Sequence, residues 1–101
     1  MISIERYRFE GPFYEFSSLR RTRGVYAILD RRPSGTFVLD IGESENVRER
    51  VSSHDRQPSW RRNSKGIVVV AVLYLATASD FQRKTIEKEL RVAFELVCGI
   101  R

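Results

Sequence analysis

Two short stretches decide the fold: Gly24-Val25-Tyr26-Ala27-Ile28-Leu29, and further along Thr36-Phe37-Val38-Leu39-Asp40-Ile41-Gly42. Gly24 opens the first, and residues 25–29 are uninterrupted apolar and β-prone, which predicts a strand. The intervening Asp30-Arg31-Arg32-Pro33-Ser34-Gly35 is turn chemistry, with proline fixing φ and glycine permitting positive φ. Residues 36–41 alternate as a second strand that Gly42 ends. The pair therefore predicts an antiparallel hairpin.

Ser44 is a good N-cap for a helix over residues 45–54, whose apolar stripe is thin: Val47 and Val51. Residues 56–66, with Pro58 and the sole tryptophan, Trp60, read as a polar loop. Residues 67–75 form a nearly continuous β-branched run, the pattern of a strand buried on both faces. Ser79 with Gln82 forms a capping box that starts a second helix running to Val97, and Cys98-Gly99 stops it. Its core face is Ile86, Leu90, Ala93, Phe94 and Val97. At the N-terminus, Ile2, Ile4, Tyr7 and Phe9 alternate as a short edge strand does. Residues 1–23 are then an extension packed on the domain. The order strand-strand-helix-strand-helix predicts one α/β (α+β) domain spanning 1–101, with a small, mainly antiparallel three-stranded sheet flanked by helices.

Composition narrows the function classes. A chain of 101 residues with 42% apolar content buries one modest core. One cysteine and one histidine cannot form an intramolecular disulfide or a four-ligand zinc site. No apolar run is long enough to span a bilayer, and Ile2, Glu5, Arg6 and Glu10 do not make a signal peptide. The expectation is a cytoplasmic protein with no membrane partner. Net charge is +5, and of the basic residues only Lys65, Lys84 and Lys88 are lysine. Arginine is the planar, bidentate partner of phosphate, so the excess points to a polyanion.

Gly24-Val25-Tyr26 on the first strand, Asp40-Ile41-Gly42 closing the second, Arg50 and His54 just after it, and Glu87 in the late helix together resemble the GIY-YIG nuclease family. The resemblance runs from Gly24 to the end of the chain, and looks like that of its small, stand-alone members. It implies metal-dependent hydrolysis of phosphodiester bonds, mostly in DNA, in settings such as repair, recombination or mobile elements. Glu87 would hold Mg2+ or Mn2+, hard cations that prefer oxygen ligands and keep several waters. Arg50 would stabilise charge growing on the phosphate, Tyr26 would orient or deprotonate the attacking water, and His54 would relay that proton or contact phosphate. Gly24 and Gly42 serve backbone geometry or close approach.

Asp40 departs from the family pattern, which carries tyrosine there. Either it joins Glu87 as a second metal-shell carboxylate, or it marks an altered activity and a nuclease-derived nucleic-acid-binding module without turnover. Its neighbour Glu43 adds negative charge at the same end. Ordinary roles exist for the other positions as well. Glu87 has Arg83 and Arg91 four residues to either side as ion-pair partners, and His54 at a helix C-terminus would meet the dipole. In the segment carrying Arg56, Trp60, Arg61, Arg62 and Lys65, cations hold phosphates and Trp60 either stacks on a base or folds back onto the core. The expectation for a stand-alone domain of this kind is that it reads substrate shape, acts weakly and non-specifically, or relies on a protein partner.

Overall fold

A computed structural model of the protein describes residues 1–94. Five strands and three helices follow in the order β1 (Ile2–Ile4), β2 (Tyr7–Phe13), β3 (Gly24–Arg32), β4 (Gly35–Ser44), α1 (Val47–Ser52), α2 (Gln57–Asn63), β5 (Ile67–Tyr74) and α3 (Asp80–Ala93). A single 3-10 turn at Phe16–Ser18 precedes β3. The strands form one sheet ordered β1-β2-β5-β3-β4, with every neighbouring pair antiparallel.

The sheet has five strands where the sequence predicts three. The difference lies in the N-terminal segment, which is part of the sheet and not an extension laid on it. Ile4 and Phe9 are buried, and Glu5 turns the chain between β1 and β2 with a φ of 53°. Glu10 and Phe13 then pair with Val72 and Val70 of β5. The apolar run in β5 behaves as its composition demands. It lies between β2 and β3, with Val69 to Val72 buried from both faces. Gly24 is required where β3 meets this strand, because a β-carbon there would lie 2.6 Å from the carbonyl oxygen of Leu73.

The β3–β4 hairpin is longer than expected, reaching Arg32 and Gly35 and leaving Pro33-Ser34 as its loop. Asp30 explains the extension. Its buried carboxylate accepts from Arg32 Nε (2.7 Å), Ser64 Oγ (3.0 Å) and the backbone N–H groups of Lys65 and Gly66 (2.9 and 2.8 Å). Polar turn residues are thus paired and can continue the ladder. Halfway along, a bulge interrupts the register: Ile28 faces Asp40 but Leu29 faces Val38, so Leu39 is an extra residue. Leu39 consequently packs with Tyr26, Ile28, Val51 and Trp60 under α1 and α2, whereas Ile41 packs with Val25, Leu29 and Leu90 under α3.

The helices show what short-range signals miss. Segment 57–63 is helical although it has no apolar stripe. Pro58 falls in its first turn, where a missing N–H costs nothing, and Trp60 is only 1% exposed. Burying a large apolar side chain contributes roughly 1.5–3 kcal/mol, which anchors an otherwise polar helix of about two turns. Helix α1 is capped by Asn46, whose side chain accepts from Glu49 N. Ser44 remains in β4, and His54 lies beyond the helix end. Helix α3 has the Ser79–Gln82 capping box the sequence predicts. The helix is shorter than the sequence predicts: instead of running to Val97 it ends at Ala93, where Phe94 is extended (φ −122°, ψ 143°), and the expected stop at Cys98-Gly99 lies outside the described residues.

Candidate active site

Residues from β3, β4, α1, α2 and α3 meet at the corner where β4 leads into α1. Tyr26 is 1% exposed and projects from β3 across Gly42, its register partner. A β-carbon on Gly42 would overlap the phenol's Cζ and Oη. Burial pushes the pKa of the Tyr26 hydroxyl up to about 12, while Arg50 and Arg56 pull the other way and Asp40 and Glu87 add to the rise. These charges are close enough to act on one phenol, so Tyr26, Arg50 and Glu87 share a corner.

Arg50 is exposed at the end of α1 and, among the described residues, its one ion-pair partner is Asp55, itself exposed, at 3.6 Å. Such a surface pair is weak, and the guanidinium remains able to meet an anion. His54 is buried and neutral. Burial, then Arg50 and Arg56, bring its pKa down to about 4. Nδ1 accepts from the backbone N–H of Arg56 (3.0 Å), which places the proton on Nε2, and its 3.2 Å approach to Asp55 is not an ion pair at neutral pH. Among the described residues Nε2 is buried without a partner, and the imidazole ring centre lies 6.0 Å from that of Tyr26 and 4.8 Å from that of Trp60. A neutral imidazole has no charge for a helix dipole to stabilise, so the dipole role does not apply.

Asp40 is fully buried and saturated. It accepts from Arg56 Nε (2.8 Å), Trp60 Nε1 (2.8 Å), Arg91 Nη1 (3.2 Å) and the N–H of Ile41 (2.9 Å). A carboxylate so engaged has no lone pair turned toward a cation, and its charge is answered by two guanidiniums. Asp40 therefore ties β4 to α2 and α3. Glu43 is likewise answered, by Arg83 Nε at 2.9 Å.

The same bonds decide the fate of the basic segment. Trp60 gives its indole N–H to Asp40 and has no exposed ring face, so it folds back onto the core and cannot stack on a base. Arg56 is held by Asp40, whereas Arg61, Arg62 and Lys65 are exposed on the outer side of α2 and the loop after it. Arg56 and Arg91 as partners of Asp40 were not legible in the sequence, where nothing at those spacings marks a contact.

Glu87, on α3, is half-buried, and burial raises its pKa, with Arg91 lowering it and Glu43 raising it further. No group of three or more His, Cys, Asp or Glu side chains among the described residues is arranged to hold a metal ion. One partly desolvated carboxylate fits a hexacoordinate cation that retains most of its waters, as Mg2+ does, and does not fit a dry multi-ligand cage. No protein family matches the chain, and neither the curated proteins nor the solved structures contain a match. No helix among the described residues is long and apolar enough to cross a membrane.

Proposed function

We propose that this protein is a GIY-YIG-type endonuclease that hydrolyses phosphodiester bonds in DNA with a divalent cation on Glu87. The observation that carries this reading is the convergence of Tyr26, Arg50 and Glu87 from three separate elements on one corner. The resemblance names these residue types; their meeting at one place is what their chemistry requires.

In this reading Arg50, exposed and only loosely paired, holds the scissile phosphate and stabilises charge on its non-bridging oxygens. Tyr26 stays protonated at neutral pH, so its hydroxyl first orients the attacking water. Arg50 beside it favours the phenolate, the form that can take a proton from that water. The buried Nε2–H of His54, without a partner among the described residues and on a ring 6.0 Å from that of Tyr26, is a donor suited to hold an oxygen or a water. When bound, Mg2+ or Mn2+ would neutralise the phosphate and the departing oxygen. Arg61, Arg62 and Lys65 lie outside this corner and would hold flanking phosphates.

A second reading, a nucleic-acid-binding module without turnover, is favoured by one observation: a phenol at about 12 is a poor base until a cation lowers it. One experiment separates them. Wild type and Glu87→Gln are incubated with plasmid, single-stranded, flap and four-way-branched DNA in Mg2+, Mn2+ and EDTA. Metal-dependent cleavage that Glu87→Gln loses supports the nuclease. Salt-dependent binding without cleavage by wild type supports the module.

A further inference from the structure

Glu87 stands between two arginines, Arg83 and Arg91, each four residues away on α3. On a solvated helix such spacing closes ion pairs. In the folded protein both guanidiniums are directed at β4 and at the start of α3 instead. Arg83 gives Nε to Glu43 (2.9 Å), Nη1 to the carbonyl of Ala78 (2.8 Å) and Nη2 to Asp80. Arg91 gives Nη1 to Asp40 Oδ1 (3.2 Å) and to the carbonyl of Ile41. No hydrogen bond joins either of them to Glu87.

We propose that Asp40 and Glu43 are decoys: these two β4 carboxylates hold Arg91 and Arg83 away from Glu87 and so leave its carboxylate open to a divalent cation. The inference rests on the reading of Glu87 as the cation's ligand and gives Asp40 and Glu43 positioning roles within it. The charges make the point. Asp40 is buried against Arg56 and Arg91, and Glu43 against an Arg83 that is 2% exposed. Each is an anion already answered by a cation. Of these three carboxylates, Glu87 alone accepts no such bond among the described residues. If Asp40 lost its charge, Glu87, one turn back on the same helix, would be an anion within reach of Arg91. Arg83 would still have Asp80, so neutralising Glu43 has the smaller effect.

The test is Mn2+ binding to the purified protein by titration calorimetry, without DNA, with metal-free crystal structures of the variants. Wild type should bind one ion, and Glu87→Gln should abolish binding. Asp40→Asn should weaken binding about tenfold, or 1.4 kcal/mol. Asp40→Asn combined with Arg91→Gln should return affinity to near the wild-type value, a rescue that a merely structural Asp40 would not give. Glu43→Gln, at a partly exposed site, should weaken binding less and covers the case in which Asp40→Asn does not fold. In the metal-free variant structures Arg91, or Arg83, should turn onto Glu87. Variants that bind Mn2+ as wild type does, or arginines that stay on β4, would overturn the proposal. If wild-type binding is insensitive to Glu87→Gln, the cation reading fails, and the metal-free structures still decide whether the decoys act.

Discussion

The phenol of Tyr26 lies across Gly42, its register partner on the neighbouring strand, and fills the space a β-carbon there would take. The glycine at the end of the second motif is thus the counterpart of the tyrosine in the first. Gly42→Ala should displace Tyr26 and destabilise the fold by about 1–3 kcal/mol, the usual cost of overpacking. Thermal denaturation checks the loss. Tyr26→Phe should not relieve it, since Cζ is also in the way, whereas Tyr26→Ala should.

His54 makes stability depend on pH in a defined window. Its folded pKa of about 4 lies below the ordinary value near 6.5, so below 6.5 the unfolded chain binds the proton more readily. Its contribution is complete above pH 6.5 and is lost as pH falls toward 4, on the order of 3 kcal/mol in all. Urea titrations at stepped pH should show a steeper fall in wild type than in His54→Gln. Glu87, whose pKa is raised, slopes the other way just above 4.5, so Glu87→Gln is the cleaner background.

Asp30 acts in a lower window. Burial alone would raise its pKa, but the backbone N–H groups of Lys65 and Gly66, with Arg32 and Ser64, outweigh this and hold it at about 2. Its contribution is present above the ordinary carboxylate value and is lost as pH falls from 3.8 toward 2. Asp30→Asn should flatten the stability curve there and leave the slope above pH 4 unchanged.

Trp60 gives an optical check on the core. As the sole tryptophan, and buried, it should emit at short wavelength and resist iodide quenching until the protein unfolds. Adding DNA should leave that resistance unchanged. Trp60→Phe removes the N–H given to Asp40 and should cost about 1–3 kcal/mol in denaturant titrations.

Replacing Arg61, Arg62 and Lys65 with alanine should weaken DNA binding across all sequences. The slope of log K against log[salt] should fall by about 0.9 for each phosphate no longer neutralised. Stability should hardly change, because all three side chains are exposed. Binding measured across a salt series reads both effects.

What the sequence made legible follows from the range of the signals. The hairpin, the buried β5 and the capped start of α3 are governed by neighbours in the chain, and each was readable. At the N-terminus the alternation of Ile2, Ile4, Tyr7 and Phe9 was readable, but the turn at Glu5 that splits it into β1 and β2 was not, nor was the pairing with β5 of the second half of β2, where Gly11 and Pro12 interrupt the pattern. Helix α2 was hidden for a related reason: its one anchor, Trp60, binds a carboxylate from β4 that no local rule connects to it. At the site, the residue types were visible but their pairings were not. Asp40 looked anomalous in the motif because its partners Arg56, Trp60 and Arg91 come from two helices and a loop further along the chain.

The bulge at Leu39 has a bearing on how the chain tolerates change in length. It puts two successive side chains, Leu39 and Asp40, on the side of the sheet that carries Trp60. A chain lacking Leu39 would pair in unbroken register, with Val38 still opposite Leu29 and Asp40 still opposite Ile28. The damage would be confined to the space Leu39 fills between Tyr26, Val51 and Trp60. Two residues later there is no such slack. Removing Ile41 from the regular part of the ladder would turn either Asp40 or Gly42 to the opposite face, away from Arg56 or from Tyr26. A library of single-residue deletions along β4 should therefore find a lenient position and an intolerant one almost side by side.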